Sequence, residues 1–177
     1  FAEAYLNMGS ALHQTDDLVA AIESYKKALK IKPDYADAYN NMGNAQRDMG
    51  DLEAAIKSYK KTLKYKPDYA EAYSNMGIAF KDKGNFDAAI ESYMQALKIK
   101  ADYAEAYHNM GIVLKDKGNL EAAIDSYKQA LKIKPDYAKA YHNMGIALKA
   151  KGDIDAALDS YNQALYIKPD YAEVYSN

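Results

Sequence analysis

Six asparagines stand 34 residues apart, at Asn7, Asn41, Asn75, Asn109, Asn143 and Asn177. An amide side chain carries one acceptor oxygen and two N–H donors, which matches the donor and acceptor of a peptide bond. A row of such amides can grip an extended backbone without reading its sequence, although hydrogen bonds within the fold could equally occupy it. An acid lies four residues before most of them, as Glu3, Asp37, Glu71 and Glu105, and Lys139 breaks that series. A basic series runs alongside: His13, Arg47, Lys81, Lys115 and Lys149, with Asp48, Asp82 and Asp116 next to three of its members. These charges could read an acidic or mixed-charge ligand, but solvated salt bridges on one face are the commoner outcome of such a pattern. A third series is apolar, Ile78, Ile112 and Ile146. Branched side chains on an otherwise polar face point to contact with a ligand or with a neighbouring helix.

Nothing in the chain points to catalysis. The histidines are His13, His108 and His142, and the last two are equivalent positions one period apart. Packed helices lie about 8–10 Å apart, so these two rings would have to converge to share a metal ion. There is no cysteine, hence no disulfide and no thiolate ligand. Neither a glycine-rich phosphate loop nor a nucleophile motif occurs. The chain is therefore read as a non-enzyme with no cofactor and no metal.

The same 34-residue period runs through everything else. Pro33 recurs as Pro67, Pro135 and Pro169, with Ala101 at the remaining position. A fixed period of this length means one supersecondary unit stacked on copies of itself. Five full repeats result, 2–35, 36–69, 70–103, 104–137 and 138–171, followed by a partial repeat at 172–177. The third and fourth differ at only eight positions, and the chain reads as a stretch cut from a longer array.

Each repeat reads as two helices. In the fourth, Asp102 with Glu105 predicts a capping box at the start of helix A. Gly118 predicts its left-handed end, and Asp16 in the first repeat predicts a looser turn there. Asn119 predicts the cap of helix B, which runs over 120–133 to the stop at Pro135. Apolar residues of both helices follow i, i+3, i+4, i+7 spacing. Gly111 and Ala123 predict close approach of the two backbones, so a bulky residue at either is expected to cost about 1–3 kcal/mol. Most tyrosines fall on three columns, beginning at Tyr5, Tyr25 and Tyr35, and are read as core and inter-repeat packing. The second stripe of helix A, namely Glu105, His108, Asn109, Ile112, Lys115 and Asp116, is left as an open face.

Composition narrows the partners. With 49% hydrophobic residues and a net charge of −2, the chain has ample apolar surface to bury and no basic excess for general nucleic-acid or acidic-membrane binding. No apolar run is long enough to span a membrane. No targeting segment is visible, which in a stretch cut from a longer array says little about the parent protein, so the compartment is left open with a lean to the cytoplasm.

The residues Tyr107, Met110-Gly111, Ala123, Tyr127, Ala130 and Pro135 resemble the signature of the tetratricopeptide repeat, and the likeness covers the whole chain. It departs locally at Gln46, Thr62 and Ala101. The resemblance implies an all-α, right-handed superhelical solenoid of antiparallel helix pairs, with A helices lining a concave groove. It also implies a scaffold that binds a protein or an extended peptide segment there. The carboxylate clamp of some members is not expected, because Asn40 and Asn44 flank Asn41 without the required lysine. The asparagine series is similar to the repeat region of O-GlcNAc transferases, where such a ladder grips substrate backbones. Two alternatives stand beside the scaffold reading. One is a substrate-presenting segment of a larger enzyme such as a glycosyltransferase. The other is a self-assembling module whose ends, near Val174 and Tyr175, stack on another copy.

Overall fold

The computed structural model describes residues 1–170. Among these the chain forms ten α-helices and no strand: α1 (Ala2–Gln14), α2 (Leu18–Ile31), α3 (Ala36–Asp48), α4 (Leu52–Tyr65), α5 (Ala70–Asp82), α6 (Phe86–Ile99), α7 (Ala104–Asp116), α8 (Leu120–Ile133), α9 (Ala138–Lys151) and α10 (Ile154–Ile167). The expected partial repeat at 172–177, with Val174, Tyr175 and Asn177, lies outside the described residues. Two compact units result, Phe1–Ile99 with α1 to α6 and Lys100 onward with α7 to α10.

Helix B of every repeat starts where the sequence places it. Asp17, Asp51, Asn85, Asn119 and Asp153 each accept a hydrogen bond from the backbone N–H three residues on, satisfying a donor that the helix start leaves orphaned. Helix A behaves differently from expectation. Its N-caps are Tyr35, Tyr69, Tyr103 and Tyr137, and none makes a side-chain cap bond. Asp102 and its equivalents lie one residue too early to cap, so Glu105 sits in the first turn and favours the positive helix end without closing a box.

The turn between the helices is set by a left-handed residue, Gly118 at φ 81° and Asp16 at φ 62° in the first repeat. The first turn is not looser. Asp17 N–H donates to the Leu12 carbonyl at 3.0 Å, as Asp51 N–H does to Gln46 at 2.9 Å. Asp16 therefore holds the glycine conformation under strain.

Within each unit the helices pair as α1·α2, α3·α4 and α5·α6, or α7·α8 and α9·α10, with α2 on α3, α4 on α5 and α8 on α9. The tyrosine column of helix B fills these pairs: Tyr25, Tyr59, Tyr93 and Tyr127 are fully buried. Each lies against the glycine of its helix A. A Cβ on Gly111 would stand 2.6 Å from Tyr127 Cε1. The glycine thus makes room for a ring edge more than for the facing backbone. Gln46 and Thr62, the local departures, are absorbed by a polar pocket. Ser58 donates to Gln46 Oε1 at 2.6 Å, and the buried Thr62 hydroxyl reaches the Ser58 carbonyl at 3.2 Å.

Candidate binding face

Among the described residues, the A helices carry the whole asparagine, basic and isoleucine series. In the first unit Asn7 on α1 is exposed, while Asn41 on α3 and Asn75 on α5 are half-buried; in the second, Asn109 on α7 and Asn143 on α9 are half-buried. Three of the amides are tied to the repeat before them. Asn41 Nδ2 donates to Ser10 Oγ at 3.4 Å, Asn75 Nδ2 to Asn40 Oδ1 at 3.3 Å, and Asn143 Nδ2 to His108 Nε2 at 2.9 Å. Local hydrogen bonding therefore takes one N–H of each of these three amides. It leaves the Oδ1 atoms of Asn75 and Asn143 without a protein hydrogen bond among the described residues.

The basic series is neutralised by the acids beside it. Arg47 pairs with Asp48 at 2.9 Å, Lys81 with Asp82 at 3.1 Å and Lys115 with Asp116 at 2.7 Å. His13 on α1 reaches across to Asp48 on α3 at 2.8 Å. Partial burial pushes the Asp48 carboxyl up, but hydrogen bonds from His13 and Arg47 outweigh it and leave the group below the ordinary carboxylate range. Lys149, exposed on α9, continues the series. These pairs are partly exposed and contribute little stability. Their consequence is that the face carries alternating charge instead of a net positive field.

Ile78, Ile112 and Ile146 are half-buried. Ile112 packs against a core of Ala123, Ile124, Tyr127 and Ala147, which includes the next helix A. Ser10 and Asn44 hold the equivalent position in the first two repeats. There the Tyr25 hydroxyl donates to Ser10 Oγ at 3.5 Å, and the Tyr59 hydroxyl to Asn44 Oδ1 at 2.8 Å. Where isoleucine replaces them, the buried hydroxyls of Tyr93, Tyr127 and Tyr161 have no hydrogen-bond partner among the described residues. Each isoleucine thus withdraws a polar partner from the tyrosine beneath it.

His108 does not belong to the open stripe. It is 6% exposed, and His142 is 4% exposed. The His108 ring centroid lies 4.9 Å from that of Tyr137 and 6.0 Å from that of Tyr127, with Nδ1 3.4 Å from the Tyr137 hydroxyl. Asn40 and Ser74, at the same position of the repeat, are likewise buried. The signal for this row was present in the sequence: Ala104, His108 and Gly111 follow the i, i+4, i+7 spacing of a buried stripe. Among the described residues no group of three or more histidines and carboxylates could hold a metal ion, and no helix is long and apolar enough to cross a membrane. Apolar depressions of 230 Å³ (Tyr73, Met76, Phe80, Ala88) and 330 Å³ (Ile154, Leu158, Tyr161, Leu165) are lined by none of the column asparagines.

The sequence pattern described as TPR repeat matches residues 9–49, 43–84, 79–118 and 113–152, and that described as Tetratricopeptide repeat matches 138–171. No curated protein matches. Among solved structures, one described as the MamA protein is 31% identical, covers 97% of this chain and 94% of its own, and superposes with a TM-score of 0.82. YrrB, described as a TPR protein with an unusual peptide-binding site, is 23% identical, with coverage of 99% and 91% and a TM-score of 0.77. A thermophilic TPR protein of Thermus thermophilus is 22% identical, with coverage of 99% and 96% and a TM-score of 0.77. The last two likenesses concern the fold alone.

Proposed function

The chain belongs to the tetratricopeptide repeat family, a scaffold suited to protein interaction, and on that premise we propose that its A-helix face receives an extended peptide segment of a partner protein. The observation that carries this reading is the state of the asparagine column. Asn75 and Asn143 are half-buried, anchored through one N–H, and keep a carbonyl oxygen that takes no hydrogen bond among the described residues. An anchored amide loses little further rotamer freedom when a ligand bonds to it, which lowers the entropic cost of binding. Unused acceptors beside alternating charge suit a backbone of mixed-charge sequence better than a uniformly acidic or basic ligand. Ile78, Ile112 and Ile146 add apolar contact at the edge of the face.

The role is recognition, with no catalytic step assigned to any residue. Peptides selected from a random display library on the immobilised protein provide the ligand for a test. Replacing Asn75, Asn109 and Asn143 together by Ala is expected to weaken a selected peptide at least tenfold while leaving helical content intact. Undiminished affinity of the folded triple variant would remove the proposal.

A further inference from the structure

One further row of the A helices, buried and polar from the second repeat on, has no role in the binding face. It stands immediately before the asparagine column and differs in chemistry from repeat to repeat: Leu6, Asn40, Ser74, His108 and His142. Asn40 is 5% and His108 6% exposed, so the free energy of either depends on its having partners inside the protein. Both find one in the same place, the column asparagine 35 residues later. Asn40 Oδ1 accepts from Asn75 Nδ2, and His108 Nε2 accepts from Asn143 Nδ2. Where the row offers only Leu6, which packs among apolar neighbours, Asn41 Nδ2 turns instead to Ser10 Oγ.

We propose that this row positions the ladder: within each unit a buried acceptor, Asn40 or His108, takes an N–H of the next repeat's asparagine, Asn75 or Asn143, and so turns its carbonyl oxygen outward. The inference rests on the peptide-binding reading and deepens it. An asparagine amide is planar, with Oδ1 and Nδ2 on opposite arms. Fixing Nδ2 on an inward acceptor fixes which arm the face presents. Asn75 and Asn143 then present acceptors, and what they recognise on a ligand is N–H. An extended peptide with free backbone amides satisfies that chemistry. A segment whose amides are removed by proline or N-methylation does not, although its shape and side chains can be the same. His108 is pre-set for the task. With Nε2 accepting from Asn143, its proton sits on Nδ1, where it can donate to the Tyr137 hydroxyl 3.4 Å away.

The free protein allows the first test, independent of any ligand. In uniformly ¹⁵N-labelled protein at neutral pH, the proposal expects a scalar coupling across the hydrogen bond between Asn143 Nδ2 and His108 Nε2, with the His108 proton on Nδ1. A proton found on Nε2 would mean that Asn143 offers its oxygen inward, and would overturn the proposal. The second test uses His108→Asn, which copies the acceptor of the second repeat, and His108→Leu, which copies the first. His108→Asn should keep the Asn143 side-chain amide protected from hydrogen exchange, and His108→Leu should release it at least tenfold. Equal exchange in both would also overturn the assignment; should His108→Leu fail to fold, the coupling in the unaltered protein still decides. The third test compares a display-selected peptide with its backbone N-methylated copy, expected to bind at least tenfold more weakly. Equal binding of the two would contradict N–H recognition. If the coupling is present and Asn143→Ala leaves peptide affinity unchanged, the positioning stands and the peptide-binding reading fails.

Discussion

Gly111→Ala is the smallest change that probes how the repeat closes. The added Cβ would lie 2.6, 2.8 and 2.9 Å from Cε1, Cδ1 and Cζ of Tyr127. Those atoms belong to the edge of a rigid ring, and Tyr127 is fully buried, so relief requires moving the ring by most of an ångström within a packed core. Overpacking of this kind costs about 1–3 kcal/mol. Alanine in place of glycine inside a helix contributes about 1 kcal/mol in the opposite direction. The net expected destabilisation is therefore about 0–2 kcal/mol, which a single variant cannot distinguish from no effect. A double-mutant cycle separates the terms. In a Tyr127→Leu background the ring edge is gone, the helix-propensity term remains, and Gly111→Ala should become stabilising by up to about 1 kcal/mol. The coupling between the two sites is expected at about 1–3 kcal/mol. Repeat proteins unfold as near-independent neighbours, so native-state hydrogen exchange of the α7 and α8 amides is the suitable assay. Additive effects of the two substitutions would refute the ring-against-glycine account.

The strained and orphaned groups give further expectations. Asp16→Gly removes a left-handed aspartate. It should raise stability by up to about 1 kcal/mol in urea unfolding, the relief being partly offset by glycine's freer unfolded chain. Tyr127→Phe deletes a buried hydroxyl that has no partner and should be neutral or stabilising by about 1 kcal/mol, whereas Tyr59→Phe breaks the bond to Asn44 and should cost about 0.5–1.5 kcal/mol. The pair compared by thermal melting would contradict the account if both lost stability equally. Alkaline pH should unfold the protein. Burial raises the Tyr69 and Tyr137 hydroxyls to about 12 and pushes those of Tyr59, Tyr93 and Tyr127 up as well. An unfolded tyrosine ionises near pH 10, so above that pH the unfolded state binds fewer protons than the folded one. This contribution is complete below about pH 10 and is lost as pH rises toward the folded values. Tyrosinate absorbance should therefore lag for these residues and rise together with loss of helical signal; full ionisation of all tyrosines near pH 10 with the helices intact would contradict it.

Much of this was legible in the sequence, and the exceptions have physical causes. Helix B was readable at both ends because its signals are local: an Asp or Asn that caps by its own side chain, and, in all repeats but the third, a proline two positions past the last helical residue. The start of helix A was misplaced by one residue because the Asp–Glu spacing of a capping box also arises when the aspartate stands outside the helix and a tyrosine holds the cap. Asp16 was recognised as a left-handed residue, yet a looser turn did not follow, since the hydrogen bond closing the turn is the same with Asp or Gly. The asparagine, basic and isoleucine series were found by period alone. Their partners were not, because the row carrying Leu6, Asn40, Ser74, His108 and His142, buried from Asn40 on, changes its residue type from repeat to repeat, and a reading by type sees no column. Adjacency to Asn109 placed His108 on the open stripe, but neighbours in sequence lie about 100° apart on a helix, enough to carry one residue onto the face and the next into the core.

If the A-helix face binds a partner's peptide through its asparagines, their side-chain amides must sense the ligand. The most direct measurement is a titration of ¹⁵N-labelled protein with a display-selected peptide, following the side-chain amide resonances of Asn41, Asn75, Asn109 and Asn143. The expected result is saturable shifts with a common dissociation constant for the amides within a unit, Asn41 with Asn75 or Asn109 with Asn143, while amides of α4 and α8 facing away from them stay still. Shifts confined to the B helices, with the four asparagine amides unmoved at saturation, would contradict it.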